Sequence, residues 1–158
     1  MSVTIRIGML LGVLVTIWTY VMGFTGWYKD PVMVNVFFLV IPLEVVLLIW
    51  ALSKTRADAT YGQQVLNGLV FSLVAGVIII VGSLVFTAVV FPTYFEDLKT
   101  AHAGILQQQG VPAAEIQRQV AASAAGQSPM LNALSGFLGT VVTGVFVAAI
   151  AGFFIRKK

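Results

Sequence analysis

Residues 32–52, VMVNVFFLVIPLEVVLLIWAL, limit what this chain can become. The run is apolar except for Asn35 near its start and Glu44 near its middle, two residues after Pro42. At about 1.5 Å per residue, a helix of this length crosses a hydrocarbon core of ~30 Å and puts Glu44 near the midplane. An acid there costs roughly 2.5–3.5 kcal/mol on insertion scales, so the side chain has to face protein or water and not lipid.

Composition makes the membrane unavoidable. Hydrophobic residues are 59% of the 158 and charged residues 9%, whereas an average soluble domain has about 25% charged residues. A chain of this length has room for one compact unit, so the expectation is a single membrane domain over residues 1–158. With no cysteine and one histidine, His102, the chain has no means of making disulfides, thiolate metal sites or bis-histidine haem ligation by itself. The net charge of +3 does not point to nucleic acid, because the basic residues stand at the ends of apolar runs, where they orient helices.

Four spans are expected, at about residues 5–23, 32–52, 65–91 and 130–155. The first resembles a signal peptide, but its apolar run is longer than a signal core and no small-x-small site precedes polar sequence, so it is expected to be retained. Trp27 and Tyr28 in the following turn have the character of interfacial anchors. Residues 53–64 read as a polar loop. The third run is longer than the bilayer core and so must tilt or project beyond it, and it stops at Phe91-Pro92.

Between the third and fourth spans, residues 93–127 carry Glu96, Asp97, Lys99, Glu115 and Arg118. Tyr94, Leu98, Ala101, Ile105 and Leu106 recur at helical spacing, Gly110-Val111-Pro112 interrupts, and Ile116, Val120 and Ala124 resume. This predicts a hairpin of two short amphipathic helices outside the membrane. Ser128-Pro129 supplies an N-cap and a first-turn proline for the last span. The fold class is therefore all-α: an integral membrane four-helix bundle with a helical-hairpin insertion. With the N-terminus inside, Arg6, Lys54, Arg56, Arg156, Lys157 and Lys158 lie inside and Lys29, Lys99 and Arg118 outside. Six against three favours cytoplasmic termini and an external 93–127 insertion.

Helices in lipid associate where small residues let backbones approach. The first span offers Gly8, Gly12 and Thr16; the third Gly68, Ser72 and Gly76; the fourth Gly136, Thr140, Gly144, Ala148 and Gly152. Each set repeats every four residues and so forms one stripe. These stripes suit packing within one bundle, and the fourth also suits self-association into a homo-oligomer.

Glu44 is the sharpest functional candidate, as a carboxylate that handles a proton or a cation, with Pro42 leaving the carbonyl near position 38 without its usual donor. The plain alternative is a neutral acid that locks the bundle through a hydrogen bond. No other acid, Lys, Arg or His lies deep in a span, and a relay normally needs a chain of such groups. Asn35, Asn67 and Asn132 stand near span ends, within reach of interfacial water. His102 lies on the amphipathic helix, where Asp97 is placed to pair with it or with Lys99. Ser/His/Asp sets, HExxH and phosphate loops are missing from the sequence, so neither catalytic nor cofactor or metal residues are assigned, and the expectation is no enzyme.

The exit of the third span through FPTYF at 91–95, and the fourth-span half SPMLNALSGFLGTVVTGVFVAAIAGFFIRKK at 128–158, resemble the bacterial DUF4199 family of small four-span membrane proteins. The resemblance covers essentially the whole chain. Since that family has no known function, the resemblance implies an inner-membrane location and no activity. The expected role is a structural or accessory component in contact with membrane lipids, itself or a larger complex; the rival is a small proton or cation transporter subunit using Glu44, in which several protomers line the path.

Overall fold

The computed structural model describes residues 2–157; Met1 and Lys158, the last of the basic residues counted above, lie outside the described residues. The chain is all-helical. Helix α1 covers Val3–Thr25, α2 Val40–Lys54, α3 Tyr61–Val85, α4 Tyr94–Gln108, α5 Ala113–Ala125 and α6 Pro129–Phe154. Four helical stretches are long and apolar enough to cross a membrane: Val3–Thr25, Met33–Lys54, Tyr61–Val90 and Pro129–Phe154. The shorter pair α4 and α5 stands between the third and the fourth.

Local chemistry sets the boundaries. Ser2 Oγ accepts the Ile5 N–H at the start of α1, and Gly26 ends that helix in the left-handed region at φ 72°, where a Cβ would be strained. Ser128 Oγ accepts the Leu131 N–H at 3.1 Å, and Pro129 takes the first position of α6. Gly110, at φ 76°, turns the chain between α4 and α5.

Two spans differ from the expected ones. The second is not one α-helix: Met33–Leu39 winds as a 3-10 helix before α2 begins. Pro42 has no N–H for the Phe38 carbonyl four residues earlier, and the winding changes over at this junction. The Val40 N–H turns to the Phe37 and Phe38 carbonyls, which closes the polar opening expected near position 38. The third span starts at Tyr61, inside the expected loop, because Gln63 Oε1 accepts the Thr60 N–H at 2.8 Å and caps the new helix. It ends in a π-helical turn, Phe86–Val90, in which the Phe91 N–H reaches the Phe86 carbonyl at 2.8 Å just before Pro92.

Helix α3 is the centre of the bundle, packed on α1 along one side and on α6 along another. Small residues make both approaches. A Cβ on Gly8 would stand 2.6 Å from the Phe71 carbonyl oxygen, and one on Gly12 2.9 Å from that of Ala75. A Cβ on Gly68 would collide with Ala148, and one on Gly144 with the Ser72 hydroxyl. Gly76 receives the Phe137 ring, while Gly136 faces Ile79 and Gly152 faces Gln64. The α6 stripe is thus taken up by α3 within one chain. Leu11, Leu48, Leu52, Phe71, Ala75 and Ala148 are fully buried between the spans.

One buried polar residue joins three helices at the end of the bundle where the described chain begins and ends. Gln64 is 0% exposed. Its amide donates to the Leu52 carbonyl at 3.2 Å and the Ile155 carbonyl at 3.0 Å, and its Oε1 accepts the Thr55 hydroxyl at 2.9 Å. The Ile155 carbonyl after α6 thereby gains a side-chain donor, and the Leu52 carbonyl, which also accepts the Thr55 N–H and hydroxyl, gains a further one.

Candidate functional site: an intramembrane cleft around Glu44

Helix α2 touches α1 and α6 more than it touches α3. Its 3-10 prelude stands off the bundle, with no buried residue. A cavity of about 460 Å³ results between this prelude, the second half of α1, the end of α3 and the first half of α6. This is the size range of pockets that hold small molecules.

Glu44 lies in the wall of this cavity. The residue is 6% exposed, and its buried Oε1 has no hydrogen-bond partner. Close packing brings it to α6: a Cβ on Gly144 would stand 3.4 Å from that oxygen. The lining is mostly apolar, including Val15, Ile41, Ile79 and Phe86, but also presents hydroxyls or amides from Thr16, Thr19, Ser83, Asn132, Ser135, Thr140 and Thr143. Glu44 is the one ionisable carboxylate in this lining. The plain expectation of a glutamic acid that ties the bundle together through its side chain is not what the geometry displays at Oε1.

The cleft is one-sided. Towards the α4–α5 hairpin its lining reaches Tyr28, Tyr94 and Asn132. In the other direction along α2 come Leu48 and Leu52, packed with Leu11 and Phe71, all fully buried. That plug is apolar packing on the α2 side, while the buried Ser72 hydroxyl and Gln64 amide stand where α3 meets α6.

Aromatic rings gather at the hairpin end. Phe86 stacks near Phe91 with centroids 4.7 Å apart and near Tyr94 at 5.3 Å, and Tyr28 lies 4.9 Å from Tyr94. Tyr28 Oη donates to Asp97 Oδ2 at 2.7 Å, and Lys29 Nζ meets the same oxygen at 2.9 Å. Asp97 therefore pairs with the α1–α2 connection, not with His102 or Lys99. Lys99 pairs instead with Glu96 at 2.7 Å, while His102 Nδ1 lies 3.4 Å from the Ser123 hydroxyl and links α4 to α5. The Tyr28 hydrogen bond, followed by Lys29, holds the Asp97 carboxyl below its ordinary value. Burial raises Tyr28, and the Asp97 contact raises Lys29.

The three asparagines are bonded to protein. Asn132 Nδ2 donates to Ser83 Oγ at 3.1 Å across the cleft wall, Asn67 Nδ2 to Thr55 Oγ1 at 3.3 Å, and Asn35 Nδ2 to the Pro31 carbonyl at 3.2 Å. Among the described residues, no three His, Asp or Glu side chains stand together as a metal-binding group. Sequence reasoning found Glu44 but not the hydroxyls that share its cavity. Those residues are Thr and Ser scattered over three spans, and only the helix packing brings them together.

Fold and cleft together define a helical protein with four membrane-crossing segments and a solitary acid in an internal cavity. The chain belongs to the DUF4199 family, described as a protein family of unknown function, whose match extends over residues 6–157. Neither a curated protein nor a solved structure matches the chain.

Proposed function

We propose that this protein is a non-enzymatic membrane protein that takes up a proton or a small cation at Glu44, from the end of the bundle that bears the α4–α5 hairpin. The observation that carries this reading is the unpartnered Glu44 Oε1, buried in the wall of a cavity that also presents hydroxyls. A carboxylate in an apolar span is costly unless it has a task or a partner, and here Oε1 lacks a protein partner.

The plug of Leu11, Leu48, Leu52 and Phe71 favours a site reached from one side at a time over a continuous pore. Because the cavity is built within one chain, this reading does not need several protomers to surround Glu44. The site takes no cofactor, and the outer faces meet membrane lipids. By the distribution of basic residues, the termini are cytoplasmic and the hairpin external, in a bacterial inner membrane. An accessory role within a larger membrane complex is the second reading. It is supported by α5, which is amphipathic and buries none of its residues, leaving its apolar positions for a partner or the bilayer surface.

The test is reconstitution into liposomes carrying an internal pH or cation indicator. The expected result is an ion movement above that of empty vesicles, reduced about tenfold or more in Glu44→Gln and partly kept in Glu44→Asp. Wild type indistinguishable from empty vesicles, or a Glu44→Gln variant as active as wild type, overturns the reading and turns attention to crosslinking of α5 in native membranes.

A further inference from the structure

A second concavity lies at the opposite end of the bundle from the Glu44 cleft mouth. It has a volume of about 490 Å³ and is lined by Ser53, Lys54, Arg56, Ala57, Arg156 and Lys157. Four of these six residues are cations. They come from places far apart in the chain: the end of α2, the loop after it, and the segment after α6.

The backbone there is fixed. The Lys157 N–H donates to the Ala59 carbonyl at 2.9 Å, holding the C-terminal segment against the loop, and Gln64 holds the Ile155 carbonyl just before it. Among the described residues no carboxylate lies within salt-bridge distance of any of the four cations. The loop's one acid, Asp58, is outside the pocket lining. Like charges held together repel one another, so the described lining favours an anion.

We propose that this pocket binds the phosphate headgroup of an anionic membrane lipid. Lys54 Nζ lies 6.0 Å from the Trp50 ring centroid and the Arg156 guanidinium 4.5 Å from that of Phe153. Trp50 has the amphipathic ring that marks the membrane interface, and with four cations in its lining the pocket sits at headgroup depth. The neighbouring outer surface is apolar, with Ile49, Trp50, Phe153 and Phe154 all exposed. Acyl chains therefore have a face to lie on directly beside the cations, which a free anion would not use. Basic pockets between span ends are recognised sites for acidic headgroups. The site is independent of Glu44 and remains whatever the cleft carries.

The experiment is native mass spectrometry of the full chain titrated with phosphatidylglycerol or phosphatidylcholine. One phosphatidylglycerol adduct is expected, favoured about tenfold or more over phosphatidylcholine, with Arg56→Gln and Arg156→Gln each weakening it about fivefold. Arg56→Lys should stay within about twofold, since the charge is kept. Arg6→Gln, an exposed cation at the same end but outside the pocket, should change nothing. Arg56 is itself an exposed loop residue, so its variants report on binding even if loss of the Arg156–Phe153 contact weakens the fold. Equal binding of the two lipids overturns the proposal. So does an Arg6→Gln loss as large as that of the pocket variants, which would make the attraction diffuse. Displacement of phosphatidylglycerol by millimolar inorganic phosphate would assign the pocket to a soluble anion instead.

Discussion

Tyr28 donates a 2.7 Å hydrogen bond to Asp97 across 69 residues of sequence, and through it the start of α4 is tied to the connection between α1 and α2. Since Tyr28 also lines the Glu44 cavity, the same side chain shapes the cleft and holds the hairpin. Lys29 completes the contact on the solvent side.

This latch has a defined pH range. The folded-state value of Asp97 is lowered, so its contribution is complete above the unfolded value of about 3.9 and is lost as pH falls through the depressed value. Lys29 is raised, so its contribution is complete below about 10.4 and is lost as pH rises through the elevated value. Hydrogen exchange of residues 94–108 should therefore be flat between about pH 5 and pH 9, after correction for intrinsic rates, and should accelerate in acid. Asp97→Asn should be open already at neutral pH and show no acid step; an acid step that survives this substitution would locate the latch elsewhere.

Glycine substitutions should sort by what the new methyl meets. Gly8→Ala drives a Cβ into the Phe71 backbone carbonyl, which has no rotamer to retreat to, and a loss of about 3 kcal/mol or more is expected. Gly144→Ala meets the Ser72 hydroxyl, so Ser72→Ala should recover part of its loss in a double-mutant cycle. Gly139→Ala has open space around it and should be neutral or stabilising by up to about 1 kcal/mol through helix propensity. Thermal melts in one detergent would check all three, and a Gly139 loss equal to that of Gly8 would contradict the packing.

Gln64→Leu should cost about 1–3 kcal/mol, because the change strips the Ile155 carbonyl of its side-chain donor and takes one bond each from the Leu52 carbonyl and the Thr55 hydroxyl, which remain bonded to each other. Limited proteolysis should then cut first near residues 53–60 and 155–157, where those bonds hold the chain. A melting temperature unchanged from wild type would show that the staple is dispensable.

Glu44→Leu should do the opposite. Removing a buried carboxylate whose Oε1 has no partner, and replacing it with an apolar side chain, should raise stability by about 1–2 kcal/mol while removing the proposed ion uptake. A variant less stable than wild type would mean that Glu44 is a structural tie and would return weight to the accessory reading.

The hairpin was legible in outline because its amphipathic spacing and Gly110 are local signals. Its attachment was not: Asp97 stands beside Glu96 and near Lys99 and His102 in sequence, and only the return of the α1–α2 connection puts Tyr28 and Lys29 closer. Residues 61–64 look like polar loop by composition, yet a capping contact from Gln63 and a buried staple from Gln64 make them the first turn of α3. Pro42's missing N–H towards the Phe38 carbonyl was visible in the sequence, whereas the 3-10 winding of Met33–Leu39 was not.

The sequence alone determined that the chain crosses a membrane in four apolar helices, that a helical hairpin interrupts the last two, and that an acid lies at the middle of one span. Those are properties of length, hydropathy and period, and they survive any arrangement of the helices. Only the tertiary structure decided what surrounds that acid. Small residues let α3 close tightly on α1 and α6, while the bulky α2 and its 3-10 prelude do not close on α3. The uneven fit leaves a cavity on one side of Glu44 and a closely packed, mainly apolar plug on the other.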